Sequence, residues 1–137
     1  MSKAIPQVQK YMTPMPHTIN VDQPLSAARK TLDRLHVRHL PVLSSAKIVG
    51  LISERDINLL ATFSGVDMEQ AKVSDAMVSD PYIVPPDAPI DTVVTEMAER
   101  KVGSALVVQD NGTLVGIFTY VDAYRTLAEV FDKRLKK

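Results

Sequence analysis

The chain has 137 residues, 45% of them hydrophobic and 23% charged, so it is long enough for one ordinary domain or two small ones sharing a core. Sixteen basic and sixteen acidic residues cancel, which argues against nucleic-acid binding through bulk charge, and the absence of tryptophan argues against an aromatic platform for single strands. With no cysteine, disulfides, thiolate chemistry and cysteine-based zinc sites are excluded. No apolar run reaches membrane-spanning length, and Met1-Ser2-Lys3-Ala4-Ile5-Pro6 lacks a signal-peptide core, so a cytoplasmic protein with no membrane partner is expected.

Taken in order, the chain opens with a short lead helix carrying Val8, Tyr11 and Met12, and ends it at the bend Thr13-Pro14-Met15-Pro16. An extended segment, His17 to Val21, leads into an amphipathic helix opened by Pro24, with Leu25, Ala28, Leu32 and Leu35 on one face. Two strands, His39 to Leu43 and Ile48 to Ser53, form a hairpin, and a helix runs from Glu54 to Phe63. Gly65 to Gln70 reads as linker.

The same order then returns. Val73, Ala76 and Met77 mark a second lead helix, Asp80-Pro81 a bend, and Tyr82-Ile83-Val84 an extended segment. A helix carries Ile90, Val94 and Met97, and a hairpin joins Ala105–Val108 to Leu114–Thr119 through an Asn111-Gly112 turn. A last helix starts at Tyr120 and runs to about Leu135. Met12 matches Met77, Asp22 matches Asp87 and Pro24 matches Pro89, each 65 residues apart; Gly50 matches Gly116 and Asp56 matches Asp122, each 66 apart. The chain is a tandem repeat of a unit too small to bury its own apolar faces, so the copies are expected to pack together. The boundaries are 1–64 for the first repeat with its lead helix, 65–72 for the linker and 73–137 for the second repeat with its C-terminal helix.

Within this repeat one stretch concentrates chemistry: Gly50-Leu51-Ile52-Ser53-Glu54-Arg55-Asp56, recurring as Gly116-Ile117-Phe118-Thr119-Tyr120-Val121-Asp122. Apolar residues make a buried strand, and Ser53 or Thr119 is a preferred N-cap, so strand becomes helix there. The aspartate falls in the first helical turn, beside N–H groups that lack intrahelical partners. Such a mouth can hold a phosphate on its N–H groups and hydroxyl while the carboxylate takes vicinal sugar hydroxyls. A plain capping arrangement accounts for either copy alone. Two copies at matched positions point toward a built site.

Leu40-Pro41-Val42 followed by Gly50-x-x-Ser53-x-x-Asp56, repeated as Ala105-Leu106-Val107 and Gly116-x-x-Thr119-x-x-Asp122, resembles a tandem pair of CBS domains, a Bateman module, over roughly Val8 to Leu127. The resemblance implies an α/β (α+β) fold of two βαββα repeats about a pseudo-twofold axis, sheets packed together and helices outside. It implies a stand-alone regulatory module, not an enzyme, that senses AMP, ADP, ATP or S-adenosylmethionine in the clefts between repeats and requires no cofactor. Carried over, Asp56 and Asp122 would bind ribose, and Ser53 and Thr119 phosphate. Thr18 and Ile19 would read the adenine edge at the Asp122 site, Ile83 and Val84 at the Asp56 site. Arg38 and His39 stand where the family often places phosphate-neutralising residues. Gly103-Ser104 replace them in the second repeat, so the Ser53/Asp56 cleft is expected to be the better nucleotide site.

Other readings compete. His36 and His39 are three apart, but the spacing crosses a helix end and has no third ligand nearby, so no metal is expected. His39 is open between a pocket donor and a half-exposed strand residue; as a donor to phosphate it would raise affinity on protonation below about pH 6.5. No nucleophile elbow, lysine-bearing phosphate loop or isolated carboxylate pair supports catalysis. The apolar residues Ile57, Leu60, Val121, Tyr124 and Leu127 of the two final helices either cover the sheets or face a second copy, and a homodimer is expected. The alternative to sensing is a homodimerising scaffold with no physiological nucleotide. The regulated protein is unknown.

Overall fold

The computed structural model describes residues 4–135; Met1, Ser2 and Lys3 of the N-terminal reading lie outside the described residues. A 3-10 turn at Val8–Lys10 is followed by β1 (Thr13–Pro14), β2 (Ile19–Asn20), α1 (Leu25–Leu35), β3 (His39–Ser44), β4 (Lys47–Ser53) and α2 (Glu54–Ala61). Then come α3 (Val73–Ala76), β5 (Ile83–Val84), α4 (Ile90–Arg100), β6 (Ser104–Val108), β7 (Leu114–Thr119) and α5 (Tyr120–Leu135). The protein is thus a mixed α/β chain with two sheets, β2-β3-β4 and β1-β7-β6-β5.

The chain forms two compact units, and these are cut differently from the sequence repeats. One is His17–Pro81; the other joins the segment up to Pro16 with the chain from Tyr82 onward. The lead segments are exchanged. Thr13 and Pro14 pair antiparallel with Ile117 and Gly116 on the second repeat's last strand, while Leu51 on the first repeat's last strand bridges to Val78.

The motif glycines explain the exchange. A Cβ on Gly116 would lie 2.2 Å from the Met12 sulfur, and one on Gly50 would lie 2.7 Å from both the Met77 sulfur and the Val78 carbonyl oxygen. Glycine at these places therefore lets a methionine and its backbone settle onto the strand. The Leu51 and Val78 amides and carbonyls then exchange hydrogen bonds of 2.9 and 2.8 Å.

In the His17–Pro81 unit, Ile19, Leu25, Ala28, Leu32, Leu40, Val42, Ile52, Ile57 and Val73 form the core. Full burial of each large side chain contributes about 1.5–3 kcal/mol. Ile57 belongs to this core and not to an outward face. The other unit buries Val8, Val84, Ile90, Val93, Met97, Ala105, Val107 and Phe118. In α4 it is Val93, rather than the expected Val94, that is fully buried, because Ile90, Val93 and Met97 fall on one face at helical spacing. α2 ends at Ala61, two residues before Phe63.

Both helices that follow the first extended segments end in a left-handed residue, His36 after α1 and Lys101 after α4. The polypeptide then turns into β3 or β6, and each hairpin carries a register shift at the same place, between Val42 and Leu43 and between Val107 and Val108. The hairpin turns differ. Gly112 is left-handed, and Asn111 accepts a hydrogen bond from the Thr113 N–H at 3.0 Å. In the first hairpin the left-handed positions fall on Ser45 and Ala46, with φ of 50° and 65°.

Two stability changes are expected. Ala46→Gly should raise stability by about 1 kcal/mol, since alanine is strained where both central residues of a two-residue turn need positive φ, and thermal unfolding should show the gain. Gly50→Ala should lose about 1–3 kcal/mol, because its methyl group meets a backbone carbonyl that cannot swing aside. Chemical denaturation of the two variants beside the parent protein measures both.

Candidate ligand site

Each motif copy builds a mouth where its last strand enters its last helix. Ser53 is the N-cap of α2 in a reciprocal capping box. The Asp56 N–H donates to Ser53 Oγ at 3.2 Å, while the Ser53 N–H and Oγ donate to Asp56 Oδ2 at 3.0 and 2.8 Å. In the second mouth the Thr119 N–H donates to Asp122 Oδ2 at 2.9 Å and its hydroxyl lies 3.4 Å from the same oxygen. The carboxylates therefore tie down their own helix ends, as a capping role requires.

The backbone donors are less available than the sequence suggests. The Glu54 N–H donates to the Arg38 carbonyl at 3.2 Å, and the Tyr120 N–H donates to the Gly103 carbonyl at 3.0 Å. With the Asp56 amide also engaged, much of the work of holding an anion at the first mouth would fall to side chains.

The two mouths are not equivalent. Asp122 is buried at 6% exposure, whereas Asp56 is half-buried. The Thr13 hydroxyl lies 3.3 and 3.5 Å from the two Asp122 oxygens, a donor supplied by the lead segment. Sequence reasoning missed Thr13. Its only signal was its place directly after Met12; the counterpart after Met77 is Val78, which has no hydroxyl.

Strand pairing places His39 opposite Ser53 and Ser104 opposite Thr119. His39 is half-buried, Arg38 exposed and Ser104 buried at 4%. Burial pushes the His39 imidazole below its ordinary 6.5; the Asp56 carboxylate pulls it back up, and Arg38 adds a smaller downward push. His39 is thus a neutral group at pH 7, which bears on the two roles left open for it.

Of the remaining candidates, Ile19 pairs with Val42 in the unit that holds Ser53 and Asp56, following the exposed Thr18. Ile83 and Val84 pair with Leu106 and Val107 in the unit that holds Thr119 and Asp122. On α5, Val121, Tyr124 and Leu127 are exposed, and Val130 and Phe131 extend that apolar set. No group of three or more metal-ligating side chains occurs among the described residues, and no helix among them is long and apolar enough to cross a membrane.

The chain thus carries two α/β units, each with a hydroxyl–carboxylate pair at a strand-to-helix junction. The CBS domain model matches residues 8–60 and 73–129, and the chain belongs to the CBS-domain family. It is 28% identical over 106 residues to inosine-5′-monophosphate dehydrogenase of Thermoplasma acidophilum, a match covering 77% of this chain and 20% of that enzyme. Against the corresponding Korarchaeum cryptofilum enzyme, at 25% identity, the shares are 98% and 27%, so the chain spans about a quarter or less of these relatives. Among solved structures, a Vibrio cholerae protein named for acetoin utilization is 27% identical, with a TM-score of 0.84 and 98% of both chains covered. The CBS domain pair of protein MJ0100, solved with 5′-methylthioadenosine and S-adenosyl-L-methionine, is 26% identical, with a TM-score of 0.81 and 92% of this chain and 98% of that one covered.

The lowered His39 pKa sets an expected pH dependence. Below about pH 6.5 the unfolded chain takes up the imidazole proton more readily than the folded one, so stability is full above that pH and falls as pH drops toward the lowered folded value. Thermal unfolding between pH 7.5 and 5 should show this decline, and His39→Gln should flatten it. Asp122→Ala is expected to destabilise by about 1–3 kcal/mol by leaving the Thr13 and Thr119 donors without their acceptor, more than Asp56→Ala at about 1 kcal/mol, as urea titration will register.

Proposed function

We propose that the protein is a cytoplasmic regulatory module, not an enzyme, that senses an adenosine-containing ligand, AMP, ADP, ATP or S-adenosylmethionine, in the clefts between its two CBS repeats. The observation that carries this reading is the doubled mouth: Ser53 with Asp56 and Thr119 with Asp122 repeat one hydrogen-bonded arrangement at matched positions. The bound 5′-methylthioadenosine and S-adenosylmethionine of the MJ0100 pair support the same ligand class.

In this reading Asp56 and Asp122 accept from ribose hydroxyls, and Ser53 and Thr119 contact phosphate. The adenine edge is read by backbone groups of the first extended segment of each repeat, Thr18 and Ile19 in one and Ile83 and Val84 in the other. Arg38 and His39 give the Ser53/Asp56 cleft the greater affinity for phosphate; at pH 7 the Arg38 cation carries most of that attraction, since His39 is neutral. A ligand acts as a switch here only by binding one arrangement of the module more tightly than another.

The second reading is a homodimerising scaffold, favoured by the exposed Tyr124, Leu127 and Phe131 on α5. A homodimer is compatible with sensing, and a regulated partner protein would read the change.

Isothermal titration with AMP, ATP and S-adenosylmethionine separates the two. Binding is expected with at least one, and Asp56→Ala or Asp122→Ala should weaken it by about 1–3 kcal/mol, roughly 5- to 150-fold. No heat with any adenosine compound would leave only the scaffold.

A further inference from the structure

The exchanged lead segment of the Tyr82-onward unit is held by backbone hydrogen bonds, by the pairing of Thr13 and Pro14 with β7, and by the packing of Val8, Tyr11 and Met12 in that unit's core. The Val8 N–H donates to the Ala88 carbonyl at 2.8 Å, the Gln9 N–H to Pro86 at 3.1 Å, the Ile90 N–H to Pro6 at 2.9 Å and the Met15 N–H to Val115 at 3.0 Å. Val8 is fully buried, and Met12 sits against Gly116. These contacts end in a strained joint. Met15 is left-handed at φ 47°, although it has a side chain and precedes a proline, two features that disfavour that conformation. Met15 is 87% exposed, so no packing of its side chain offsets the strain. The joint lies where the chain leaves the unit at Pro16.

The same segment supplies a polar group to the ligand mouth, since Thr13 reaches Asp122. The exchanged segment of the other unit differs on both counts. It carries Val78 at the matched place, and no residue from Met77 to Pro81 has positive φ.

We propose that residues 5–16 form a detachable strap whose seating is coupled, through Thr13, to occupation of the Asp122 mouth. Seated, the strap covers the outer edge of β7 and completes the mouth. Lifted, it releases the strain at Met15, removes one donor from Asp122 and uncovers the β7 edge. A ligand that engages Asp122 beside Thr13 favours the seated strap, and a seated strap raises affinity by the same factor. The ligand half of this coupling rests on the nucleotide reading above; the strap half does not.

Hydrogen exchange on the full-length protein tests it, comparing the Val8, Gln9 and Met15 amides with the Leu106 amide of β6, which is bonded to the Tyr82 carbonyl at 2.8 Å. Without ligand, the strap amides are expected to exchange at least tenfold faster than Leu106. Thr13→Val and Met15→Val should each speed the strap several-fold further, while Met15→Asn, which tolerates a left-handed backbone, should slow it. Saturating S-adenosylmethionine should slow the strap at least tenfold in the parent and much less in Thr13→Val. Strap amides as slow as Leu106, or indifferent to these substitutions, would overturn the strap itself. Binding heat without strap protection would overturn the coupling and leave the nucleotide reading standing. No heat with any adenosine compound would remove that reading, with the strap then judged on the ligand-free rates.

Discussion

The close approach of a methionine-bearing segment to a glycine on the last strand of the opposite repeat is the constraint from which the rest follows. At Gly116 the space a methyl group would take is filled by Met12, and at Gly50 by Met77 and the Val78 carbonyl. A side chain at Gly50 would meet the Val78 carbonyl and push the segment off the strand, whereas one at Gly116 would displace the Met12 side chain. Because the segment can settle there, β1 pairs with β7 and Val78 bridges to Leu51, and each compact unit is assembled from pieces of both sequence repeats. The glycine therefore has a packing role three residues before the capping hydroxyl. Both features of the motif act on the same junction.

At that junction, the hydroxyl and carboxylate atoms are engaged with one another. A carboxylate that caps its own helix already has hydrogen-bond donors, and any further group must offer bonds at least as good to share it. The bonds from Ser53 to Asp56 fall on Oδ2, whereas Asp122 uses both oxygens once Thr13 is counted. The mouths thus begin from different states. Asp122 is more deeply buried and more fully bonded, so displacing its partners costs more; Asp56 is more open, and its capping partner Ser53 lies opposite His39 in strand register. One motif, written twice, has become two chemically distinct places.

His39 illustrates how burial modifies a residue whose type alone suggests a charge. A histidine beside a carboxylate would ordinarily gain a proton more easily, but desolvation outweighs the Asp56 attraction and the ring is held neutral at physiological pH. Arg38, beside it in sequence, is exposed.

Sequence alone determined the elements that depend on local periodicity and capping. The amphipathic helices α1 and α4, both hairpins, the Ser53 cap and the Asn111-Gly112 turn are each encoded in one short stretch of chain, and the tandem repeat shows in the constant spacing of matched residues. The family was legible for the same reason, since its motif is a short ordered string that occurs twice. Tertiary structure decided what depends on residues far apart. The exchange of lead segments, the identity of Thr13 as a partner of Asp122 and the burial of Ile57 and Val93 arise from contacts that no local pattern records. The lowered affinity of His39 for a proton belongs to the same group, because a pKa responds to the dielectric and charges that packing places around it, while sequence supplies only the group that titrates.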